Sequence, residues 1–386
     1  MGSRLPRWSY LSMMENKRVD ALLEGTSRSF FLSLRVLPKK IRRHIGLTYL
    51  LARLADTIAD SKVGENEVLT QYLKEYNIRI QDPGKELPDF ESLAAIQENK
   101  AEAELLSNAI IAVSYLDEDR ELNQEDLERL ALIANGGEGG ANKVSIETIR
   151  NYNIAKSKRF TNSDRKKIRT CLDIIISGQT LDLERFADAS ESKIVSLENE
   201  DQLDDYTYRV AGSVGEFWTH MSLDHLFEMD SSNQEILFTK AVNFGKSLQL
   251  INILRDLPED LQMGRCYLPR QTLNEYDLTP EDLLDSRNMG NFRPLFSSYL
   301  EKANYYLNNA VEYIQMLPKN QYRLRLSCML PVLIGQRTLI LLEEGNILDS
   351  NNRIKVMRRE IKKIKRKSIW LCLTRRNPKK MIEIMN

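Results

Sequence analysis

The chain has 386 residues, 42% of them hydrophobic, with 17 glycines and 11 prolines, which excludes a disordered or fibrous polypeptide and leaves a helix-rich globular protein. Its formal charge of zero hides an asymmetry: residues 353–386 carry thirteen Lys and Arg against Glu360 and Glu383, or +11, so the preceding 352 residues carry −11. The acidic body argues against a nucleic-acid binder, while the basic tail reads as a solvated helix face or a contact for anionic lipid.

Taken in chain order, apolar residues recur at three- and four-residue steps through 38–59, 66–81, 101–115, 123–134, 164–187, 203–228, 234–256, 294–315, 322–344 and 354–372, each predicting a helix. Breaks fall at Pro83-Gly84, at the glycine-rich 136–142, at Met229–Asn233 and at Gly264–Pro269. Alternating strand patterns are nearly absent, so the fold class is all-α. The expected organisation is an N-terminal segment over 1–20, one large helical domain over 21–350, and a basic helix or tail over 351–386. The segment 136–142 follows a helix and does not fit a phosphate-cradling loop, so it reads as a connector. Cys171, Cys266, Cys328 and Cys372 are far apart and form neither a zinc pattern nor a disulfide framework, which points to the cytoplasm. No run approaches the ~18 apolar residues of a membrane span, so any membrane contact is expected to be peripheral, through the basic tail.

Two helices carry an unusual polar stripe. In the first, Tyr49, Arg53, Asp56 and Asp60 stand at i, i+4, i+7 and i+11 on a segment otherwise filled by Ile45, Leu47, Leu50, Leu51, Leu54 and Ile58. At about 100° per residue the four side chains share an arc of roughly 60°. In the second, Gln249, Asn252, Asp256 and Asp260 repeat the arrangement beside Leu248, Leu250, Ile251, Ile253 and Leu254. Carboxylates on buried helices need cations, and a hard ion such as Mg²⁺, which also binds substrate phosphates, meets that need. Arg53 and Arg255 are then candidates for direct contact with phosphate oxygens. Pro258 is expected to kink or end the second helix, leaving the direction of Asp260 less certain. The spacing alone is not specific: Asp201 and Asp205 share it on a segment that looks solvent-facing and reads as a decoy.

With their neighbours these residues resemble the squalene/phytoene synthase family of head-to-head prenyl synthases. The resemblance runs through S27-RSFF-L, Y49-LLARLADTIAD, G178-QTLDLERF, Y206-TYRVAGSVG and Q249-LINILRDLPEDLQMGRCYLP. It implies the all-α isoprenoid-synthase fold with a central active-site cavity. It also implies that Asp56, Asp60, Asp256, Asp260 and Asn252 hold Mg²⁺. Arg28, Ser29, Tyr49, Arg53, Gln249 and Arg255 match positions that bind diphosphate, and Phe30 matches a cavity wall. Tyr206 matches the tyrosine that assists proton removal when a cyclopropane closes. On the glycine-containing V210-AGSVG, close backbone approach is expected to leave room for substrate beside it. Lys355 is the best match for a basic residue that holds NADPH in reductive members.

The activity so implied is coupling of two farnesyl diphosphates through presqualene diphosphate, followed by NADPH reduction to squalene. Non-reductive relatives instead yield presqualene diphosphate, dehydrosqualene or phytoene. A non-catalytic relative that binds prenyl lipid is the rival of a different class, and the intact aspartates argue against it.

Overall fold

The computed structural model describes residues 21–27, 30–61, 66–117, 128, 160–350 and 353–373. The expected helix at 123–134, apart from Glu128, and the connector at 136–142 lie outside them, as do 1–20 and the basic cluster Arg375, Arg376, Lys379 and Lys380. Among the described residues the structure is helical, with a single two-residue strand pair, as the periodicity predicts. They divide into two compact units: one of 1–31 and 44–176, the other of 32–43 and 177–386.

After the short α1 (Phe30–Val36), α2 (Lys39–Ala59) contributes its residues from His44 onward to the first unit, together with α3 (Asn66–Gln81). The α2 residues Leu50, Leu51, Leu54 and Ile58 and the α3 residues Leu73, Tyr76 and Ile80 are almost wholly buried. Tyr76 donates its hydroxyl to the Leu51 carbonyl at 3.0 Å, and Arg79 is buried in a two-pronged pair with Asp117 at 2.8 and 3.0 Å. Asp82 ends α3 by accepting the Gly84 N–H, the turn expected at Pro83-Gly84. After α4 (Glu91–Ile96), the helix expected over 101–115 is broken into α5 (Lys100–Ser107) and α6 (Ala109–Val113). The break has a local cause: the Asn108 side chain donates to the Glu104 carbonyl and competes with the helix. The long α7 (Asn162–Arg185) runs from this unit into the next.

The second unit centres on α10 (Ser231–Gln262), started by Asp230, whose carboxylate caps the Asn233 N–H. Before it come α8 (Glu200–Thr207), a π-helical turn over Tyr208–Gly212 and α9 (Ser213–His225). After it come α11 (Arg270–Asn274), α12 (Met289–Met316), α13 (Tyr322–Glu344) and α14 (Arg358–Leu373). β1 (Val195–Ser196) and β2 (Arg265–Cys266) pair in parallel and fix the chain that leaves α10. Gly264 makes the turn with φ +78°, where a Cβ would fall 2.2 Å from the Ser190 carbonyl.

α13 is long and apolar enough to cross a membrane by length and composition, where the sequence reading found no such segment. Its interior position accounts for the composition: 61% of its most apolar window is buried, with Leu324, Cys328, Leu333 and Leu342 in the core.

Candidate active site

The first stripe forms on the helix as far as Asp56, but the helix ends before the last expected member, Asp60. Tyr49, Arg53 and Asp56 lie on α2 among buried leucines. Asp60 sits one residue past its end, exposed, with its N–H still bonded to the Asp56 carbonyl at 2.8 Å. Arg53 reaches Asp56 at 3.6 Å and is also held by Glu102 of α5. Burial works against the Arg53 charge, but Glu102 and Asp56 more than offset it and hold its pKa above the ordinary value. Burial pushes the Tyr49 phenol up to about 12. Its hydroxyl donates to the Thr26 carbonyl, and its ring rests 5.3 Å from that of Phe30. Arg28 and Ser29 lie outside the described residues.

Glu102 was not singled out in the sequence. The available signal was local: Asn99-Lys-Ala-Glu102 has the form of a helix cap, and Asn99 does accept the Ala101 N–H at 3.0 Å. The carboxylate, however, turns to Arg53, while the Asn99 amide donates to it at 3.0 Å. Replacing Asn99 with Ala is expected to cost about 1 kcal/mol of stability. Urea unfolding checks this, and an unmoved midpoint would count against the cap.

The second stripe is more regular than predicted. α10 does not end at Pro258 but continues to Gln262, so Gln249, Asn252, Asp256 and Asp260 stay on one face and all four are part-buried. Proline removes only the N–H aimed at the Leu254 carbonyl. The core contacts of Leu254, Leu257 and Leu261 on either side hold the helix through that loss. Arg255 grips Asp256 with two hydrogen bonds, one from Nε at 2.8 Å, and Arg353 approaches the same carboxylate at 3.7 Å. Asp260 is shifted the other way: burial, then the neighbouring Asp256, push its carboxyl up to about 8, against the pull of Arg265. The other pair at this spacing is placed differently. Asp201 is exposed, and Asp205 is occupied by Arg185 and Arg209 at 3.2 and 2.7 Å.

Tyr206 lies in the last turn of α8 and stacks on Tyr267, with ring centroids 4.9 Å apart and planes 26° from parallel. Tyr267 donates its hydroxyl to Asp182 at 2.8 Å, and Arg265 lies 3.6 Å from the same carboxylate oxygen. Neither Tyr267 nor Asp182 was a candidate from spacing, although each lies in a quoted family segment. The close backbone approach expected at the glycines after Tyr206 is present, and what approaches is another helix. A Cβ at Gly215 would stand 2.1 Å from the Ala241 carbonyl, and one at Gly245 would stand 2.1 Å from the Ala211 carbonyl. They are small because two helix backbones touch there.

Lys355 is exposed in the non-helical stretch before α14. Nearby Arg353 ties that stretch to Glu259 at 2.8 Å and to Asp256, while Arg337 of α13 holds Glu360 of α14 at 3.0 Å.

The Podospora anserina bifunctional lycopene cyclase/phytoene synthase is 39% identical over 112 residues, 28% of this chain and 19% of that protein. The Synechocystis 15-cis-phytoene synthase is 32% identical over 155 residues, 38% of this chain and 42% of that protein. The chain thus spans less than half the length of both. In fold it is similar to TcSQS in complex with the ligand E5700, with a TM-score of 0.64 and 18% identity over 91% of this chain and 84% of that one. The profile described as squalene/phytoene synthase matches residues 23–131 and 156–360, most of the polypeptide, and the chain therefore belongs to the squalene/phytoene synthase family.

Proposed function

We propose that this protein couples two farnesyl diphosphates head to head and reduces the product to squalene, with residues 21–350 as the catalytic segment. The observation that carries the reading is the pair of stripes: Arg53 and Asp56 on α2, with Asp60 in the turn just after it, and Arg255, Asp256 and Asp260 on α10, each beside buried leucines. The donors suit Mg²⁺, since all are oxygens. The raised pKa of Asp260 beside Asp256 is also a cost that a divalent cation relieves. Asp56 and Asp60 would hold the ion in one stripe; Asp256, Asp260 and Asn252 would hold it in the other. When bound, Mg²⁺ neutralises the diphosphate leaving group.

The protein's own groups do the rest. Arg53 and Arg255 exchange carboxylate partners for diphosphate oxygens, with Gln249 and Tyr49 beside them. The ring of Phe30 and neighbouring leucines exclude water from the allylic cation. Tyr206 takes the proton lost when the cyclopropane closes. Arg353 brings positive charge beside the second stripe, 3.7 Å from Asp256, and with Lys355 two residues further on it suits a cofactor bearing phosphates. When bound, NADPH supplies the hydride that ends the sequence.

A non-reductive reading has its own support, because the sequence relatives above are named phytoene synthases. Incubation with farnesyl or geranylgeranyl diphosphate and Mg²⁺, with and without NADPH, separates the two by mass spectrometry. Squalene formed only with NADPH is the expected result. Dehydrosqualene or phytoene formed regardless of NADPH would replace the reductive reading, and no turnover of any prenyl diphosphate would sink both.

A further inference from the structure

We propose that Tyr267 and Asp182 extend a proton path from Tyr206, so that the proton released on cyclopropane closure comes to rest on the Asp182 carboxylate. This rests on the coupling reaction proposed above and on Tyr206 meeting the substrate. Three separate elements converge to build the path. Tyr206 comes from the end of α8, Asp182 from the last turn of α7, and Tyr267 from the residue after β2. The phenol rings stack with centroids 4.9 Å apart, and Tyr267 donates its hydroxyl hydrogen to Asp182 Oδ2 at 2.8 Å.

A phenol that accepts a proton becomes a strong acid and cannot keep two. Tyr206 can therefore serve as a base only by giving up its original proton as it takes the new one. The balance is closed. The substrate C–H bond breaks and its electron pair forms the new C–C bond. Tyr206 gains that hydrogen and gives its own to Tyr267, which gives its own to Asp182. One carboxylate becomes a carboxylic acid, and no redox partner is needed. Burial, then Tyr206 and Asp182, hold the Tyr267 pKa well above the ordinary value, so Tyr267 passes a proton without resting as phenolate. The Arg265 guanidinium lies 3.6 Å from the same Asp182 oxygen. Tyr267 and Asp182 act through Tyr206 and are positioning residues.

The test uses the full chain with farnesyl diphosphate and Mg²⁺ and no NADPH, reading formation of the cyclopropylcarbinyl diphosphate. Tyr267→Phe keeps the stacked ring and Asp182→Asn keeps the side-chain shape. Each is expected to lower kcat at least about tenfold, with KM within about twofold and a diminished solvent deuterium effect. Because the three groups act as one unit, Tyr267→Phe added to Tyr206→Phe should cost nothing further. Asp182→Glu should restore part of the rate. A kcat within about twofold of wild type for both single variants, or fully multiplicative losses in the double variant, would overturn the path. Should Tyr267→Phe fail to fold, Asp182→Asn and its Glu rescue carry the test alone. Wild type that forms no product would instead overturn the coupling reaction.

Discussion

Asp256→Asn is expected to lower turnover of farnesyl diphosphate roughly 10²- to 10³-fold while leaving the helical content unchanged. Asn keeps the volume and one oxygen but removes the charge that a divalent cation needs. The substitution also releases two guanidiniums, because Arg255 and Arg353 both bind this carboxylate. Freed from it, they remain available to a diphosphate, so the loss should fall on kcat more than on KM. Asp205→Asn is the matched control, since Asp205 shares the spacing with Asp201 but is committed to Arg185 and Arg209. Its activity should stay within about twofold of wild type, apart from any small loss of stability from the part-exposed ion pairs. Steady-state kinetics with circular dichroism measure both. Equal activity in wild type and Asp256→Asn would remove this aspartate from the reaction.

What could be read from the sequence follows the range of the interaction. Helix periodicity and the i, i+4, i+7, i+11 stripes depend on residues within a few turns, and α3 and α13 begin and end where the pattern placed them. Contacts across the chain were hidden. Glu102 meets Arg53 from 49 residues away, and Asp182 meets Tyr267 from 85. Nothing in either local pattern announces its partner. Pro258 failed in another way: the rule that proline breaks helices describes a local cost, here outweighed by buried leucines on both sides. The glycines near Tyr206 were correctly seen as a place of close approach. Sequence could not say that another helix backbone, α10, is what approaches.

Asp260 allows the cation proposal to be tested without turnover. Its folded pKa of about 8 lies above the ordinary 3.8, chiefly through burial and then through Asp256. Between those values the folded state therefore binds more protons than the unfolded one, and stability falls as pH rises. The contribution is fully present below about pH 4 and is lost as pH rises through about 8. Allowing for partial exposure, ionising this carboxyl in the metal-free protein costs on the order of 2–3 kcal/mol. Thermal melts of chelator-treated protein should therefore fall from about pH 5 to about pH 9 more steeply in wild type than in Asp260→Asn, which has no charge to bury. Mg²⁺ favours the charged form, so at about pH 8 it should raise the wild-type midpoint by several degrees and the variant's far less. Equal Mg²⁺ shifts in the two proteins would place the ion elsewhere. Equal pH slopes would mean that Asp260 stays ionised at neutral pH without a cation, and that the part-buried end of α10 is better solvated than its packing implies.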